Sequence, residues 1–267
     1  MADTLYLSLW YPNLRLAALP DKLTAVLGAF AAHGGESRVY AATVWPVSWS
    51  EAPVFQRVWG RMAAGPMRGG AHPAERGVPP HEPGGVRGNP GADPRQAVEE
   101  ALELLHDDYA YEFQIGWNLW ELETGNAGLR SASNAGPHST SAADATSAQD
   151  DTSELSAQDD VERVNLDPQW VREARLMRVS GFGPLFDEGA YEQEGHIKVD
   201  FGSDAPFLEE DADLDAVGAR HVEQNVRQLV ELTAAIEKES GATARLLWSE
   251  LGESLAQRLA ARLGMGN

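Results

Sequence analysis

Three polar residues near the middle of the second half of the chain are the best candidates for chemistry. His196, Lys198 and Asp200 alternate with large apolar residues within residues 195–202. A period of two predicts a strand that places these three side chains on one face. A carboxylate and an imidazole on a shared face act as base and acid, and a nearby lysine stabilises a developing anion. The sequence therefore predicts His196, Lys198 and Asp200 as candidate catalytic residues.

An acidic segment precedes this strand and extends the possible chemistry to metal binding. Residues 187–194 contain four carboxylates, Asp187, Glu188, Glu192 and Glu194. Carboxylates and imidazoles together bind divalent cations, and a bound cation activates water for hydrolysis. The candidate metal ligands are Asp187, Glu188, His196 and Asp200. The competing interpretation is that these residues form the solvated face of an antiparallel sheet and bind nothing.

The common cofactor and nucleophile motifs do not occur in this sequence. None of the three lysines, Lys22, Lys198 and Lys238, stands between a glycine and a serine or threonine, which excludes a P-loop. The segment Gly181-Phe182-Gly183 lacks the third glycine of a dinucleotide fingerprint and is better interpreted as a kink or bulge in a strand. The chain has no cysteine, which excludes thiolate metal sites and a cysteine nucleophile. We therefore predict no bound cofactor.

The charge balance restricts the possible partners. The chain has 21 basic and 41 acidic residues, a formal net charge of -20. Such a charge repels nucleic acid phosphates and anionic lipids, so we expect neither nucleic acid nor a membrane as a partner. The start lacks a basic signal-peptide region and no apolar run reaches about 18 residues, which predicts a cytoplasmic protein. Arginine outnumbers lysine strongly, which suggests a GC-rich prokaryotic genome.

Two low-complexity stretches interrupt the chain. Residues 60–94 are dense in glycine and proline, and residues 124–165 contain the sequence Ser-Ala-Gln-Asp-Asp twice, at 147–151 and 156–160. Segments with so few large apolar residues do not form a packed core. We therefore predict a single domain, residues 1–267, with disordered insertions at 60–94 and 124–165.

Hydrophobic periodicity outside these stretches predicts a mixture of strands and helices. Alternation predicts strands at residues 4–11, 38–47, 109–120, 171–186 and 195–202, the last two forming a hairpin. Helical spacing predicts helices at 21–32 and 94–108, a helix with the stripe Val222, Val226, Leu229, Thr233 and Ile236, and a last helix with Leu247, Leu251, Leu255 and Leu259. The predicted fold is α+β, a mixed, largely antiparallel sheet of about five strands with helices packed on one face.

Two functions of different classes follow from these features. The acidic, motif-poor chain with eight tryptophans favours a non-enzymatic intracellular binding module for a basic protein partner, with an immunity- or inhibitor-like role as one form. The alternative is a small metal-assisted hydrolase that uses the Asp/His/Glu cluster around residues 187–200. The direction in which the polar strand face points distinguishes these hypotheses, because an enzyme needs a concave, partly buried site.

Overall fold

The computed structural model describes residues 3–60, 91–123, 169–208, 214–250 and 255–262. Nearly all of them belong to one compact unit, Met1–Glu121 together with Trp170–Asn267. The two predicted insertions lie almost entirely outside the described residues. At the margin of the first, Ala92 pairs with Val39, and Asp93 precedes a helix that begins at Pro94.

The described part of the chain forms one sheet of seven strands in the order β3-β2-β4-β5-β6-β1-β7. The strands run antiparallel, and with the helices they confirm the predicted α+β class. Their bounds are β1 Thr4–Trp10, β2 Gly35–Pro46, β3 Phe55–Val58, β4 Tyr109–Glu123, β5 Gln169–Phe182, β6 Ile197–Ser203 and β7 Ala244–Ser249.

Helices pack together on one face of this sheet, where the main hydrophobic core lies. These helices are α1 Leu19–Ala32, α2 Pro94–Ala101, α4 Ala205–Leu208, α5 Ala216–Ser240 and α6 Leu255–Arg262, whereas the short helix α3, Tyr191–Glu194, packs against a separate small cluster. The alternate residues Leu5, Leu7 and Leu9 of β1 are fully buried against them, and Phe30 of α1 meets Trp117 of β4 edge to face at 6.0 Å. The period of two in the strands therefore separates a helix-covered face from a second face.

The long helix α5 forms as its sequence predicts. The Asp215 side chain accepts hydrogen bonds from the N–H groups of Val217 and Gly218, which satisfies donors that a helix start leaves free. The helix ends at Gly241, whose positive φ of 70° suits a residue without a side chain. The predicted stripe is buried along its length, so α5 supplies a large part of the core.

Four elements differ from the sequence-based prediction. The helix predicted at 94–108 ends at Ala101 and continues only as a 3-10 turn, Leu102–Leu104, because the Leu104 carbonyl and the His106 N–H are hydrogen-bonded to the Tyr111 hydroxyl. The predicted last helix is wrong at its start, because Leu247 lies in β7, which pairs with β1, and the helix α6 begins at Leu255. The short edge strand β3 was not predicted. The strand β5 ends at Phe182 rather than at residue 186, because the Gly183 and Leu185 N–H groups donate to the Tyr109 and Asp107 carbonyls instead of pairing with β6.

The second face of the sheet carries mostly polar residues, and we call it the polar face. At one end it is covered by residues 183–195, which connect β5 to β6. A small separate core forms there from Ala110, Phe182 and Phe186, with Trp45 and Tyr191 packed against it. Within the described residues, no helix has the length and apolar character needed to cross a membrane.

Candidate functional site

A row of charged and aromatic side chains crosses the polar face. Arg178 of β5 lies opposite Asp200 of β6, and Asp200 lies opposite Tyr6 of β1. The Arg178 guanidinium donates to Asp200 Oδ2 at 2.5 Å, and the Gly202 N–H donates to Asp200 Oδ1 at 2.7 Å. Asp200 is therefore a nearly buried carboxylate, 8% exposed, whose oxygens both accept hydrogen bonds from the chain itself.

Lys198 is held by its neighbours on the same face. Its ammonium group forms an ion pair with Glu194 and lies 5.3 Å from the centre of the Tyr6 ring. A cation over an aromatic face is attracted by the ring quadrupole. The lysine is thus fixed between a carboxylate and a ring, and it adds positive charge beside Asp200.

Glu112 of β4 differs from the other acidic residues of the polar face. It is half-buried, and it forms neither a hydrogen bond nor an ion pair with any residue in the described part of the chain. Burial is the main cause that raises the pKa of Glu112, and the positive charges of Arg178 and Lys198 oppose that rise. The Glu112 carboxylate is therefore only partly desolvated and stays accessible to a cation from outside the chain.

Aromatic and aliphatic side chains border the charged row at the β7 edge. The rings of Tyr6 and Trp248 lie 4.7 Å apart, and the Trp248 indole N–H donates to Ser8 Oγ at 3.0 Å. The Tyr6 hydroxyl donates to Glu250 at 3.1 Å, and burial raises the pKa of Tyr6 above its ordinary value. Leu246 beside them is 52% exposed. The polar face therefore combines fixed charges with exposed apolar surface.

His196 lies in different surroundings from Lys198 and Asp200. Its imidazole lines a pocket of about 300 Å³ at the end of the sheet, together with Tyr11 and Tyr191. The Tyr11 N–H donates to His196 Nδ1 at 3.2 Å, and the Tyr191 ring lies 4.9 Å from the imidazole. Burial lowers the pKa of His196, which favours the neutral ring.

The structure does not bring the predicted site residues together. Residues four apart on an extended strand are separated by roughly 13 Å, so His196 and Asp200 do not reach one small ion. Asp187 and Glu188 are exposed in the segment after β5, where the Asp187 N–H donates to the Val47 carbonyl at 2.7 Å. In the described ranges, no group of three or more His, Asp or Glu side chains is arranged to hold a metal ion.

Sequence reasoning missed Glu112, Arg178 and Tyr6 as members of the site. Each stands at a polar or aromatic position of an alternating strand, so the period of two places it on the face opposite the core. The order of the strands, which a single sequence does not contain, brings them beside Asp200.

Comparison with known proteins gives no relative for this chain: no family model, curated protein or solved structure matches it.

Proposed function

We propose that this protein is an intracellular, non-enzymatic binding module whose polar face binds a basic protein partner. The partner places a cationic side chain against Glu112, and an immunity- or inhibitor-like role fits such a module. The polar face supplies the Glu112 carboxylate for the contact, and the aromatic pair Tyr6 and Trp248 supplies apolar area on the same face.

Glu112 is the observation that carries this proposal. Taking a carboxylate out of water costs free energy unless a cation or hydrogen-bond donors compensate. The other acidic residues of the charged row have compensation, since Asp200 pairs with Arg178 and Glu194 with Lys198. Glu112 has no direct partner in the described part of the chain, so an arginine or lysine from another protein supplies the missing interaction.

The net charge of the whole chain also favours a basic protein as the partner. A net charge of -20 attracts a basic protein at a distance and increases its rate of encounter. Tyrosine and tryptophan are frequent at the energetic centres of protein interfaces. Charge therefore brings the partner to the molecule, and the exposed part of Tyr6, Trp248 and Leu246 adds short-range contact.

The hydrolase alternative gains less support from the geometry. It needs His196 and Asp200 in one cleft, whereas Asp200 accepts hydrogen bonds from Arg178 and Gly202, and His196 lines a separate pocket. The alternative remains a prediction from sequence, and we do not develop it into a mechanism.

Parallel affinity capture with three forms of the tagged protein tests the proposal. The baits are the wild type, Glu112→Gln, and the matched control Glu231→Gln, which removes the same charge from the exposed surface of α5. Each bait is incubated with native cell lysate at about 50 mM and 300 mM salt, a range over which electrostatic screening increases strongly. Bound proteins are identified and quantified by mass spectrometry.

We expect one basic protein in near-stoichiometric amount with the wild type and with Glu231→Gln. Its yield falls at high salt, and it falls about tenfold or more with Glu112→Gln, since a desolvated charged hydrogen bond contributes about 1.5–3 kcal/mol. Equal recovery by all three baits, or recovery of no basic protein by the wild type, contradicts the proposal.

A further inference from the structure

The pocket that contains His196 is a second candidate site, separate from the charged row of the polar face. It lies where the end of β1 and the start of α1 meet residues 183–196, and its volume is about 300 Å³. Leu14, Leu16, Leu19 and Phe182 supply its apolar wall, and Tyr11, Asn13, Tyr191 and His196 bring polar groups to it. Volumes of this size lie at the lower end of small-molecule sites.

The hydrogen bond from Tyr11 fixes the chemical form of His196. Because the Tyr11 N–H donates to Nδ1, that nitrogen is an acceptor and the proton of the neutral ring is on Nε2. His196 Nε2 has no hydrogen-bond partner within the described residues. The His196 imidazole therefore offers an N–H donor at the pocket wall, held in place through the other nitrogen of the same ring and by the nearby Tyr191 ring.

The charge of the lining restricts the class of ligand. Among the described residues that line the pocket there is no aspartate, glutamate, lysine or arginine. A charged ligand would lose its hydration there without gaining an opposite charge, which is costly. An anion is opposed further by the acidic segment 187–194, which precedes His196. The lining thus fits an uncharged molecule.

We propose that this pocket binds a small uncharged molecule with one ring and one hydrogen-bond acceptor, whose acceptor oxygen receives the His196 Nε2 proton. The ring lies among Leu16, Leu19 and Phe182, and the oxygen points to the imidazole. This site is independent of the basic partner, because it uses none of the charged residues of the polar face.

Three probes of nearly equal size test separately whether binding depends on the hydrogen-bond acceptor and on the absence of charge. Acetophenone has a ring and a carbonyl acceptor, α-methylstyrene has the same shape without the acceptor, and benzoate is an anion. Each is titrated into ¹⁵N-labelled full-length protein, with the His196 ring nitrogens and backbone amides followed by NMR. We expect acetophenone to shift the Nε2 signal and the amides of Leu16 and Leu19 with a Kd of roughly 1 mM, a usual affinity for so few atoms.

The other two probes, α-methylstyrene and benzoate, test whether the pocket selects an uncharged ligand with an acceptor. α-Methylstyrene is expected to bind about tenfold more weakly, since it lacks the acceptor. Benzoate is expected to cause no saturable shift at these residues. Absence of pocket shifts with acetophenone, or equal affinity for acetophenone and benzoate, overturns the proposal.

Two variants with a matched control locate the binding. His196→Asn keeps an acceptor near the Tyr11 N–H but has no donor at the Nε2 position, so acetophenone affinity falls about tenfold and α-methylstyrene affinity stays constant. Leu16→Trp fills the pocket and removes binding of both. Leu104→Trp introduces the same side chain at an exposed position in the turn after α2, outside the pocket, and leaves binding unchanged. Retained binding in Leu16→Trp shows that the probe binds elsewhere and contradicts the proposal.

Discussion

Arg178 and Asp200 face each other across β5 and β6, and their charged groups lie 2.5 Å apart. The Asp200 side chain is almost entirely buried, whereas the side chain of Arg178 keeps 56% of its surface exposed. The chain therefore neutralises Asp200 internally. Glu112 is half-buried near the same arginine, whose positive charge lowers its pKa against the effect of burial. It is the carboxylate that the proposed basic partner would neutralise.

Asp200 is expected to stabilise the fold. Asp200→Ala removes the acceptor of the Gly202 N–H and the partner of Arg178, and it lowers the free energy of unfolding by about 2 kcal/mol. Asp200→Asn keeps an acceptor for Gly202 and costs about half as much. A double-mutant cycle with Arg178→Gln, measured by urea unfolding, gives a coupling energy of about 0.5–1 kcal/mol for this partly exposed pair. A coupling energy of zero rules out a stabilising role for the ion pair.

Replacement of Glu112 is expected to stabilise the protein at neutral pH. Burial raises the pKa of Glu112 above its ordinary value of 4.5, so the folded state holds this proton more tightly than the unfolded state. The wild type therefore loses stability relative to Glu112→Gln as pH rises from about 4.5 through the raised pKa. We expect the variant to melt about 2 °C higher at pH 7 and to lose this advantage at pH 4.

The comparison uses thermal unfolding at both pH values, with Glu231→Gln as the control. Glu231→Gln has the same net charge as Glu112→Gln but changes an exposed residue of α5. Its melting temperature should equal that of the wild type at both pH values. A lower melting temperature for Glu112→Gln at pH 7 would mean that the carboxylate is stabilised within the chain, which would remove the argument for an external partner.

His196 is expected to make the protein sensitive to mild acid. Burial lowers its pKa below the ordinary value of 6.5, so the unfolded state binds the proton more readily. Relative to His196→Asn, the wild type keeps its full stability above pH 6.5 and loses it as pH falls from there through the lowered pKa. Urea unfolding at pH 7.5 and pH 5 measures this difference. An identical pH dependence for both proteins contradicts a buried neutral imidazole.

Gly183 is expected to be essential for the turn that forms the covered end of the polar face. A Cβ at this position would stand 2.2 Å from the Asp107 carbonyl oxygen and 2.8 Å from that of His106, and both are backbone atoms. Gly183→Ala should lower the free energy of unfolding by about 2–4 kcal/mol. Gly28→Ala in α1 is the matched control, since nothing lies within 4 Å of an added Cβ there, and it should stabilise the helix by about 0.5–1 kcal/mol. Similar effects of the two changes would contradict the close backbone contact.

The regular elements of the fold were predictable where one periodicity was clear. The alternation in residues 109–120 predicted β4, and the stripe from Val222 to Ile236 predicted α5. Leu247 was assigned to a helix because its spacing of four from the following leucines fits a helical stripe. Pairing with β1 makes it part of β7 instead, which shows tertiary contacts overriding a local pattern. The edge strand β3 is too short to give a periodic signal.

The candidate site was predictable only in part. Alternation correctly put Lys198 and Asp200 on one face, and it put Glu112 on the polar side of its own strand. The alternation did not predict that Glu112, Arg178 and Asp200 lie close together, because their proximity depends on the order of the strands in the sheet. Nor did it reveal the contact of His196 with Tyr11, which arises where the chain after β1 returns to the sheet end.

The most direct test of the proposed binding role is the titration of the Glu112 carboxyl group. Its ¹³C chemical shift is followed against pH by NMR, with and without saturating octa-arginine peptide, and with Glu231 as the internal reference. We predict that the pKa of Glu112 lies above its ordinary value in the free protein and falls on binding, because a nearby cation favours the charged form. The pKa of Glu231 should change less. A peptide that binds without lowering the pKa of Glu112 would contradict the claim that this carboxylate receives the cation of a basic partner.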